Sequence, residues 1–424
     1  MSTSKKSQTQ HWADLDIFKV ASCYAEDALR NPDTLKTVIG DLRSRKLEKL
    51  MAFLKSPEHI YGEDWLALRQ ISAFFSKNVA FSDDKVCLAT ALSNFDKAEL
   101  LCKITNRRLD YISRHPERCV FWEEIKKMQR LIADLLGSLE AFPNHGLGRG
   151  MRFTDGATED RGRSKSLPFL KITGRVKLPK SAVQYLTPLF PSLGVDPTTI
   201  KYEFTQRNRV EFVPKDWSTH RTIACEPTHL LPLQLSTNSY FVGRLRRWGV
   251  DLSDQSLNQE KARLGSLDGS LATIDLRMAS DTMAINAVAL LLPDDWFVFL
   301  NDLRSKGYTI PCSNKEGWYN KFSSMGNGFT FSLETMIFTA ACKAVGSTAY
   351  QVYGDDIVIE AEYAEAVTAL LRLLGFRTNV EKTFSNPDTR FRESCGCDWY
   401  NGKFVTPFYI RDIPKCSERA ALSW

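Results

Sequence analysis

The chain has few of the features that mark metal-thiolate, disulfide-bonded or membrane proteins. Its ten cysteines follow no framework of paired spacings, Cys395 and Cys397 are the only close pair, and no histidine follows His229. A zinc site is therefore not expected, and reduced thiols are the default. No segment approaches the roughly eighteen apolar residues that a membrane span needs, so we expect a soluble intracellular protein.

Positive charge is concentrated in one segment. The formal net charge is +6 over 424 residues, and between His145 and Lys180 nine Lys and Arg residues oppose three Asp and Glu residues. Glycines are frequent in the same segment, so it is typical of a mobile basic loop that follows a phosphate backbone. A flexible surface linker is the alternative. The length of the chain allows more than one core, so subdomains are expected.

The segment YQVYGDDIVI, at residues 350–359, places two adjacent carboxylates at a glycine turn between β-branched runs. The β-branched residues favour strands and Gly354 supplies backbone freedom, so the sequence predicts a hairpin. Repulsion between Asp355 and Asp356 costs free energy unless a cation or a proton offsets it. Oxygen-rich sites of this kind suit Mg²⁺. An ordinary turn rich in Gly and Asp is the alternative.

A second carboxylate segment lies upstream. The apolar run LATIDL at residues 271–276 predicts a strand that delivers Asp275, and a helix should begin near Asp281 because apolar residues recur at helical spacing across residues 283–291. Phosphoryl transfer by two metal ions requires carboxylates that converge from different elements. Asp275 and the two hairpin carboxylates would supply them. Taken alone, Asp275 is more simply a capping or turn residue.

A glycine-rich loop, FSSMGNGFTF at residues 322–331, lies between these two carboxylate segments and leads into an apolar helix face. Strand carboxylate, glycine-rich loop with helix, and carboxylate hairpin is the order of palm motifs in template-directed polymerases. The strings IDLRMASD, SMGNGFTF and YGDD closely resemble the RNA-directed RNA polymerases of single-stranded RNA bacteriophages, the levivirus (Qβ-type) replicases. Similar segments extend the resemblance over residues 205–411.

The resemblance implies an α+β right-hand polymerase with fingers and an antiparallel palm sheet backed by helices. We expect a helical N-terminal and fingers region at 1–140, fingers with the basic loop and triphosphate-clamping strands at 141–235, and the palm at 236–390. Residues 391–424 would form a palm-closing hairpin and the start of a thumb. Thirteen residues follow Arg411, whereas the resembling replicases continue, so we expect the thumb to be largely absent.

The resemblance also implies a metal site. Asp275 and Asp355 look like the principal metal ligands of the family, and Asp356 looks like a weaker or second-ion ligand. The backbone carbonyl of Leu276 would add a further ligand. Two Mg²⁺ ions are the expected cofactors, with Mn²⁺ as an alternative. Lys382 resembles a basic residue that protonates the departing pyrophosphate as a general acid, although an exposed structural lysine is an equal alternative.

Substrate binding is assigned to loop residues and to basic side chains. Asp281 and Asn327 resemble the pair that reads the ribose 2′-hydroxyl of the incoming nucleotide, and Ser324 and Gly326 lie on the same substrate-binding loop. For Asp281 the alternative is solvation on a first helical turn, where a carboxylate is favoured anyway.

Two basic residues upstream, Lys215 and Arg221, look like side chains that clamp the triphosphate. For the neighbouring Arg207 and Arg209, phosphate binding and a solvated surface are equally good interpretations.

The resemblance implies an RNA-directed RNA polymerase that replicates a single-stranded RNA phage genome by two-metal nucleotidyl transfer from ribonucleoside triphosphates, with release of pyrophosphate. It also implies the cytoplasm of an infected bacterium, with host elongation factors Tu and Ts and a ribosomal protein as partners. Two other functions remain open. A reverse transcriptase of the retroelement type pairs carboxylates similarly but would block the 2′-hydroxyl with bulk, and a catalytically inactive RNA-binding remnant of a replicase would account for the basic loop.

Overall fold

The computed structural model describes residues 16–55, 62–142, 147–162, 167–168, 171, 175–191 and 194–411. The chain forms two compact units. The smaller unit comprises the described parts of residues 1–92 and 405–424 together with Val213–Arg221, and the larger unit comprises the described parts of 93–212 and 222–404.

The smaller unit is built from helices. They are α1 (Ile17–Ala28), α2 (Pro32–Arg43), α3 (Leu47–Leu54), α4 (Trp65–Ser76) and the beginning of α5 (Asp84–Arg114). Local chemistry fixes the start of α2, because the Asn31 side chain accepts hydrogen bonds from the Asp33 and Thr34 amides and Pro32 occupies the first turn. Apolar faces of α1 to α4 form one core, and Trp217 packs against it.

The larger unit combines helices with strands. After α5, the described helices are α6 (Trp122–Leu136), α7 (Val183–Leu186), α8 (Leu231–Leu245), α9 (Ser256–Asp268), α10 (Ala279–Thr282), α11 (Ile285–Leu291), α12 (Asp294–Asp302), α13 (Thr330–Ala344) and α14 (Ala364–Leu374). None of the helices in the described ranges has the length and apolar character that crossing a membrane requires.

The strands form four small sheets. They are β1 (Val176–Leu178), β2 (Tyr202–Phe204), β3 (Arg207–Pro214), β4 (His220–Cys225), β5 (Leu271–Asp275), β6 (Gly307–Ile310), β7 (Lys315–Trp318), β8 (Gln351–Tyr353), β9 (Asp356–Glu360), β10 (Phe391–Ser394), β11 (Cys397–Tyr400) and β12 (Lys403–Phe404). The sheets have the strand orders β1-β2, β4-β3-β6-β7, β5-β9-β8 and β10-β11-β12. This mixture of helix and sheet confirms the predicted α+β class.

Helix α13 lies in the core of the larger unit. Thirteen of its fifteen residues are buried, and it packs against α6, α8 and α14. A helix that is buried on nearly all sides belongs to the interior of a domain. The predicted apolar face, which includes Leu333 and Ile337, is confirmed, but the buried surface extends around most of the helix.

The prediction of one continuous helix after β5 is wrong. The structure has two short helices, α10 and α11, and the chain between them is extended at Met283. Phe322 donates a hydrogen bond to the Met283 carbonyl (2.7 Å), and Ile285 donates to the Asn320 carbonyl (3.2 Å). These tertiary hydrogen bonds replace intrahelical ones, so backbone pairing with a distant segment overrides the local helical pattern.

Candidate active site

The predicted carboxylate hairpin is present, and α13 holds its turn. Tyr353 pairs with Asp356 across the β8–β9 turn, and Gly354 between them has φ +59°. The Gly354 amide donates to the Thr335 hydroxyl at 3.1 Å. A Cβ atom at Gly354 would lie 2.2 Å from the ring of Phe331, which is also on α13. Only glycine therefore satisfies both the backbone conformation and the close approach to the helix.

Two of the three predicted metal ligands lie directly opposite each other. Strand β5 runs antiparallel to β9, and Asp275 at the end of β5 is the register partner of Asp356 at the start of β9. The neighbouring residues Leu271, Ile274 and Ile357 are buried and fix this register, because a slip by one residue would expose them. The fold thus brings together carboxylates from distant parts of the chain at one end of the sheet.

A neighbouring segment holds Asp275 through both its backbone and its side chain. The Asn379 amide donates to the Asp275 carbonyl at 2.8 Å, and its side-chain Nδ2 donates to Asp275 Oδ2 at 2.6 Å. Arg277 completes this bridge by donating to the Arg377 carbonyl at 2.7 Å. Neither backbone bond uses the Leu276 carbonyl, which the sequence proposes as a metal ligand. The sequence analysis missed Asn379, because a lone asparagine between strands gives no signal of its own.

Burial and mutual repulsion act on both paired carboxyl groups. Burial raises the pKa of Asp275 to about 6, and the negative charge of Asp355 contributes, although Lys382 and Asn379 oppose the shift. Burial likewise raises the pKa of Asp356 to about 7, with contributions from Asp355 and Asp275. Such shifts arise where carboxylates are gathered without a compensating cation, and a bound cation would reverse them.

The donor chemistry of the site fits a divalent metal, because buried carboxylate oxygens are the ligands that Mg²⁺ prefers. Asp275, Asp355 and Asp356 would hold it. Within the described residues, however, no group of three or more His, Cys, Asp or Glu side chains is arranged closely enough to hold a metal ion. The structure pairs Asp275 with Asp356. Metal binding by these residues, by Asp355 and by the Leu276 carbonyl stays a prediction.

Lys382 lies beside these carboxylates. Its Nζ atom forms an ion pair with Glu393 Oε1 at 2.8 Å. Burial lowers the pKa of Lys382, but the negative charges of Glu393, Asp275 and Asp356 outweigh burial and raise that pKa above its usual range. The Lys382 ammonium therefore stays protonated at neutral pH, which supports charge neutralisation near the site.

The two residues predicted to read the ribose each have another partner in the structure. Asp281 Oδ1 accepts a hydrogen bond from Lys321 Nζ at 2.8 Å. Asn327 is buried, its Oδ1 accepts from the Phe329 amide at 3.0 Å, and its Nδ2 has no hydrogen-bond partner within the described part of the chain. A buried donor without a partner is costly, so it marks a position where a ligand acceptor would be favourable.

The glycine-rich loop closes tightly on itself and on β4. The Ser324 carbonyl accepts from the Asn327 amide at 3.0 Å and from the Thr330 hydroxyl at 3.1 Å. Gly326 has φ +112°, and a Cβ atom there would lie 2.1 Å from the carbonyl oxygen of Ala224. The predicted loop is thus a rigid turn, and its glycine is required by contact with backbone.

The predicted phosphate-binding residues are distributed between the units. Lys215 and Arg221 are exposed residues of the smaller unit. In the larger unit, Arg207 pairs with Glu316 at 3.4 Å, and Arg209 donates to the Thr158 carbonyl at 3.0 Å. These partners favour a structural role for Arg207 and Arg209.

The predicted basic loop is described only in part. His145, Gly146, Arg163 and Lys165 lie outside the described residues. Within the described residues, Lys171 is buried and donates to the Gly156 carbonyl at 2.6 Å. At least one of the loop's positive charges therefore serves the fold, and RNA contact by the loop stays a prediction.

Glu334 is a buried acid near the site that the sequence analysis missed. It lies on α13, is 2% exposed, and accepts a hydrogen bond from the Ser280 hydroxyl at 2.8 Å. Burial raises the pKa of Glu334 to about 8, with further contributions from the charges of Asp355 and Asp281. Its position among the apolar residues of a helix was the only signal in the sequence, and a surface glutamate gives the same signal.

Replacing Glu334 by Gln should flatten the pH dependence of stability. In the folded protein Glu334 holds a proton between its ordinary pKa and about 8, so its stabilising contribution is complete at acid pH and falls as the pH rises through this window. We expect wild type to lose roughly 2 to 4 kcal/mol more than Glu334→Gln between pH 5 and 9. Urea unfolding midpoints across this range measure the difference. The exposed Glu362→Gln serves as control, and equal slopes for both variants would contradict the assignment.

The site combines a carboxylate at a strand end with a carboxylate hairpin opposite it. A glycine-rich loop and a buried helix lie between these two segments in the chain. This is the arrangement of a polymerase palm. The family model described as RNA replicase, beta-chain matches residues 56–419. The chain belongs to this RNA replicase beta-chain family.

Individual relatives agree with the family. The chain is 38% identical over 336 residues to the RNA-directed RNA polymerase subunit beta of Enterobacteria phage SP, with 77% of this chain and 58% of that protein covered. Identity to the same subunit of Escherichia virus Qbeta is also 38%, covering 76% and 55%. For the beta chain of Escherichia phage MS2 identity is 42%, covering 50% and 39%. The chain thus spans between 39% and 58% of the length of these three curated relatives.

Solved structures give a weaker likeness. The RNA-dependent RNA polymerase of a human picorbirnavirus, in its insertion-loop deletion form, superposes with a TM-score of 0.36 at 13% identity, covering 74% of each chain. The BmCPV RNA-dependent RNA polymerase in its elongation state gives a TM-score of 0.39 at 12% identity, covering 70% of this chain and 30% of that one.

Proposed function

We propose that this chain carries the catalytic site of an RNA-directed RNA polymerase that copies a single-stranded RNA phage genome from ribonucleoside triphosphates. The observation that carries the proposal is the register pairing of Asp275 with Asp356 beside the Gly354 turn. Membership of the replicase family supports it. In the reaction, a 3′-hydroxyl oxygen attacks the α-phosphorus of the triphosphate, a new phosphorus–oxygen bond forms, and the bond to the departing pyrophosphate breaks.

Asp275, Asp355 and Asp356 would hold two divalent ions, Mg²⁺ or Mn²⁺. Such ions, when bound, lower the pKa of the attacking hydroxyl and neutralise charge on the pyrophosphate. The chain contributes orientation, because Asn379 fixes one oxygen of Asp275 at 2.6 Å and so restricts the direction of the carboxylate. Catalysis of phosphoryl transfer depends mainly on such positioning and on charge stabilisation.

Lys382 would act on the leaving group. Its protonated ammonium group lies within the field of Asp275 and Asp356, so it can neutralise charge that develops on pyrophosphate. Donation of its proton would make it a general acid. For that step Lys382 would have to release Glu393, with which it is paired at 2.8 Å.

Recognition of the nucleotide is proposed for the loop residues. Asp281 and Asn327 would bind the ribose 2′-hydroxyl, which both donates and accepts hydrogen bonds, and the unpartnered Asn327 Nδ2 supports this role. Ser324 and Gly326 would shape the same pocket. Lys215 and Arg221 remain our candidates for binding the triphosphate, on the basis of the family resemblance.

Several assignments extend the proposal beyond the site. We infer fingers within residues 1–235, a palm at 236–390 and a closing hairpin from 391 onward. The cytoplasm of an infected bacterium would be the location. The relatives are named as a beta subunit or beta chain, which supports assembly with other subunits, and host elongation factors Tu and Ts with a ribosomal protein are the proposed partners.

The test is RNA synthesis by the purified chain, with and without bacterial extract. A single-stranded RNA template, four ribonucleoside triphosphates and Mg²⁺ should yield a labelled complementary strand and pyrophosphate, and chelation of the metal should stop both. Preferential incorporation of deoxyribonucleotides would indicate a reverse transcriptase instead. Salt-sensitive RNA binding without pyrophosphate release, even with extract, would indicate an inactive remnant and contradict the proposal.

A further inference from the structure

A buried lysine that the reaction does not use contacts the predicted ribose reader. Lys321 is 1% exposed, and its Nζ atom donates to Asp281 Oδ1 at 2.8 Å. The same ammonium lies over the rings of Phe95, at 4.9 Å from the centroid, and Tyr319, at 5.0 Å. An ammonium removed from water in this way is costly unless ionic and aromatic partners compensate for the lost hydration.

The cluster around Lys321 joins three separate parts of the larger unit. Glu99 on α5 is buried and accepts from the Asn320 amide at 2.6 Å, which anchors the loop next to Lys321. The backbone of Lys321 forms a β-bridge with Ala284, the residue directly before α11. Burial opposes protonation of Lys321, but the negative charge of Asp281 outweighs burial and raises the pKa of Lys321 above its usual range. The Lys321 ammonium therefore stays positively charged and paired with Asp281 on α10.

The geometry leaves one oxygen of Asp281 available to a ligand. Lys321 donates to Oδ1, and Oδ2 accepts no hydrogen bond from the residues that the structure describes. The Asp281 side chain is 17% exposed and that of Lys321 is 1% exposed, so a ligand can reach the carboxylate of this pair but not the ammonium. When a buried donor binds one oxygen of a carboxylate, the side chain loses rotational freedom. The orientation of the second oxygen is then fixed as well.

We propose that Lys321 is a positioning residue that fixes Asp281 so that its second oxygen receives the ribose 2′-hydroxyl, and that Lys321 thereby sets the preference for ribonucleotides over deoxyribonucleotides. This inference rests on the proposed polymerase function. Because Lys321 is buried, it would act through Asp281 and not on the nucleotide directly. Its effect is therefore confined to the discrimination between two sugars that differ at one hydroxyl.

Replacing Lys321 by Met tests the proposal. The measurement is kcat/KM for UTP and for 2′-deoxyuridine triphosphate on the same RNA template. We expect the ratio between them to fall by at least about tenfold, mostly through slower use of UTP, because a site built to bind a hydroxyl discriminates strongly only while its acceptor is in place. The matched control is Lys315→Met, which breaks the exposed Lys315–Asp96 ion pair between β7 and α5 and should leave the ratio unchanged.

A second variant guards against misfolding. Lys321→Met leaves Glu99 as a buried carboxylate without its neighbouring cation, and Glu99→Gln added to it removes that charge while keeping an acceptor for Asn320. A double-mutant cycle with Asp281→Asn gives the sharper result: once Asp281 is replaced, loss of Lys321 should not change the ratio further. Equal losses for both nucleotides at a constant ratio, or independent effects in the cycle, would overturn the inference.

Failure of the proposed polymerase function can be distinguished from failure of this inference. If wild type makes no RNA under any condition, the polymerase proposal fails and this inference falls with it. If wild type copies RNA and the Lys321 variants retain its full sugar preference, the inference alone is wrong.

Discussion

Replacement of Asp275 by Asn is expected to reduce nucleotide incorporation by about a thousandfold or more without unfolding the chain, because it removes charge and leaves shape nearly unchanged. The amide can still accept a hydrogen bond from Asn379, so the strand end should keep its position. Burial and the charge of Asp355 disfavour the ionised form of Asp275, so loss of that charge should not lower stability. Single-nucleotide incorporation on an RNA template and a urea unfolding curve measure the two effects.

The matched control is Asp268→Asn. Asp268 is the last residue of α9, shortly before β5, and its Oδ1 accepts a hydrogen bond from the Ser270 amide at 2.8 Å in a local turn. Asparagine accepts the same turn hydrogen bond as aspartate, so this variant makes the same chemical change close to the strand and should retain full incorporation. Asp355→Asn should behave like Asp275→Asn. If Asp275→Asn or Asp355→Asn retained incorporation, the assignment of that residue as a metal ligand would be wrong.

Replacement of Gly354 by Ala should cost about 2 to 4 kcal/mol of folding free energy and abolish incorporation. Two effects combine: φ of +59° is strained for alanine, and the new methyl group would lie 2.2 Å from the Phe331 ring. Either the hairpin or α13 must then move, and the carboxylates beside Gly354 move with the hairpin. Unfolding midpoints in urea, measured beside the incorporation assay, report both losses.

Gly396→Ala separates these two effects. Gly396 has φ +74°, and apart from its two chain neighbours no described residue has an atom within 4 Å of a Cβ atom placed there. Only the backbone strain of about 1 to 2 kcal/mol is therefore expected. Truncation of the ring in Gly354→Ala with Phe331→Leu should recover the part of the loss that comes from the clash. A Gly354 variant no less stable than the Gly396 variant would refute the steric explanation.

The local elements of the site were predictable from sequence, because each depends on residues adjacent in the chain. The β8–β9 hairpin follows from β-branched residues around Gly354, and the strand ending at Asp275 follows from an apolar run. The pairing of Asp275 with Asp356 did not follow from local pattern, because the register of distant strands depends on tertiary packing. The order of motifs in the resembling family supplied that expectation.

The supporting side chains could not be predicted. Asn379, Lys321 and Glu334 are single polar residues within loops or an apolar helix, and nothing in their neighbourhood in the chain distinguishes them from surface positions. Their roles follow from burial and from partners far away in the sequence, such as the Ser280 hydroxyl for Glu334. The break between α10 and α11 was missed for the same reason, since backbone atoms of a distant loop replace the helical partners.

The segment that carries Asn379 and Lys382 borders β5 for most of its length. Phe384 and Thr273 exchange two backbone hydrogen bonds, 2.8 and 3.0 Å long, beyond the bridge at Asn379. This segment thus pairs with the outer edge of β5, orients the Asp275 carboxylate at the end of the strand and supplies the Lys382 ammonium beside it. Loosening this stretch would disturb the position of Asp275 and the local charge together, so slow amide hydrogen exchange at Thr273 would report that the carboxylate site is intact in the free protein.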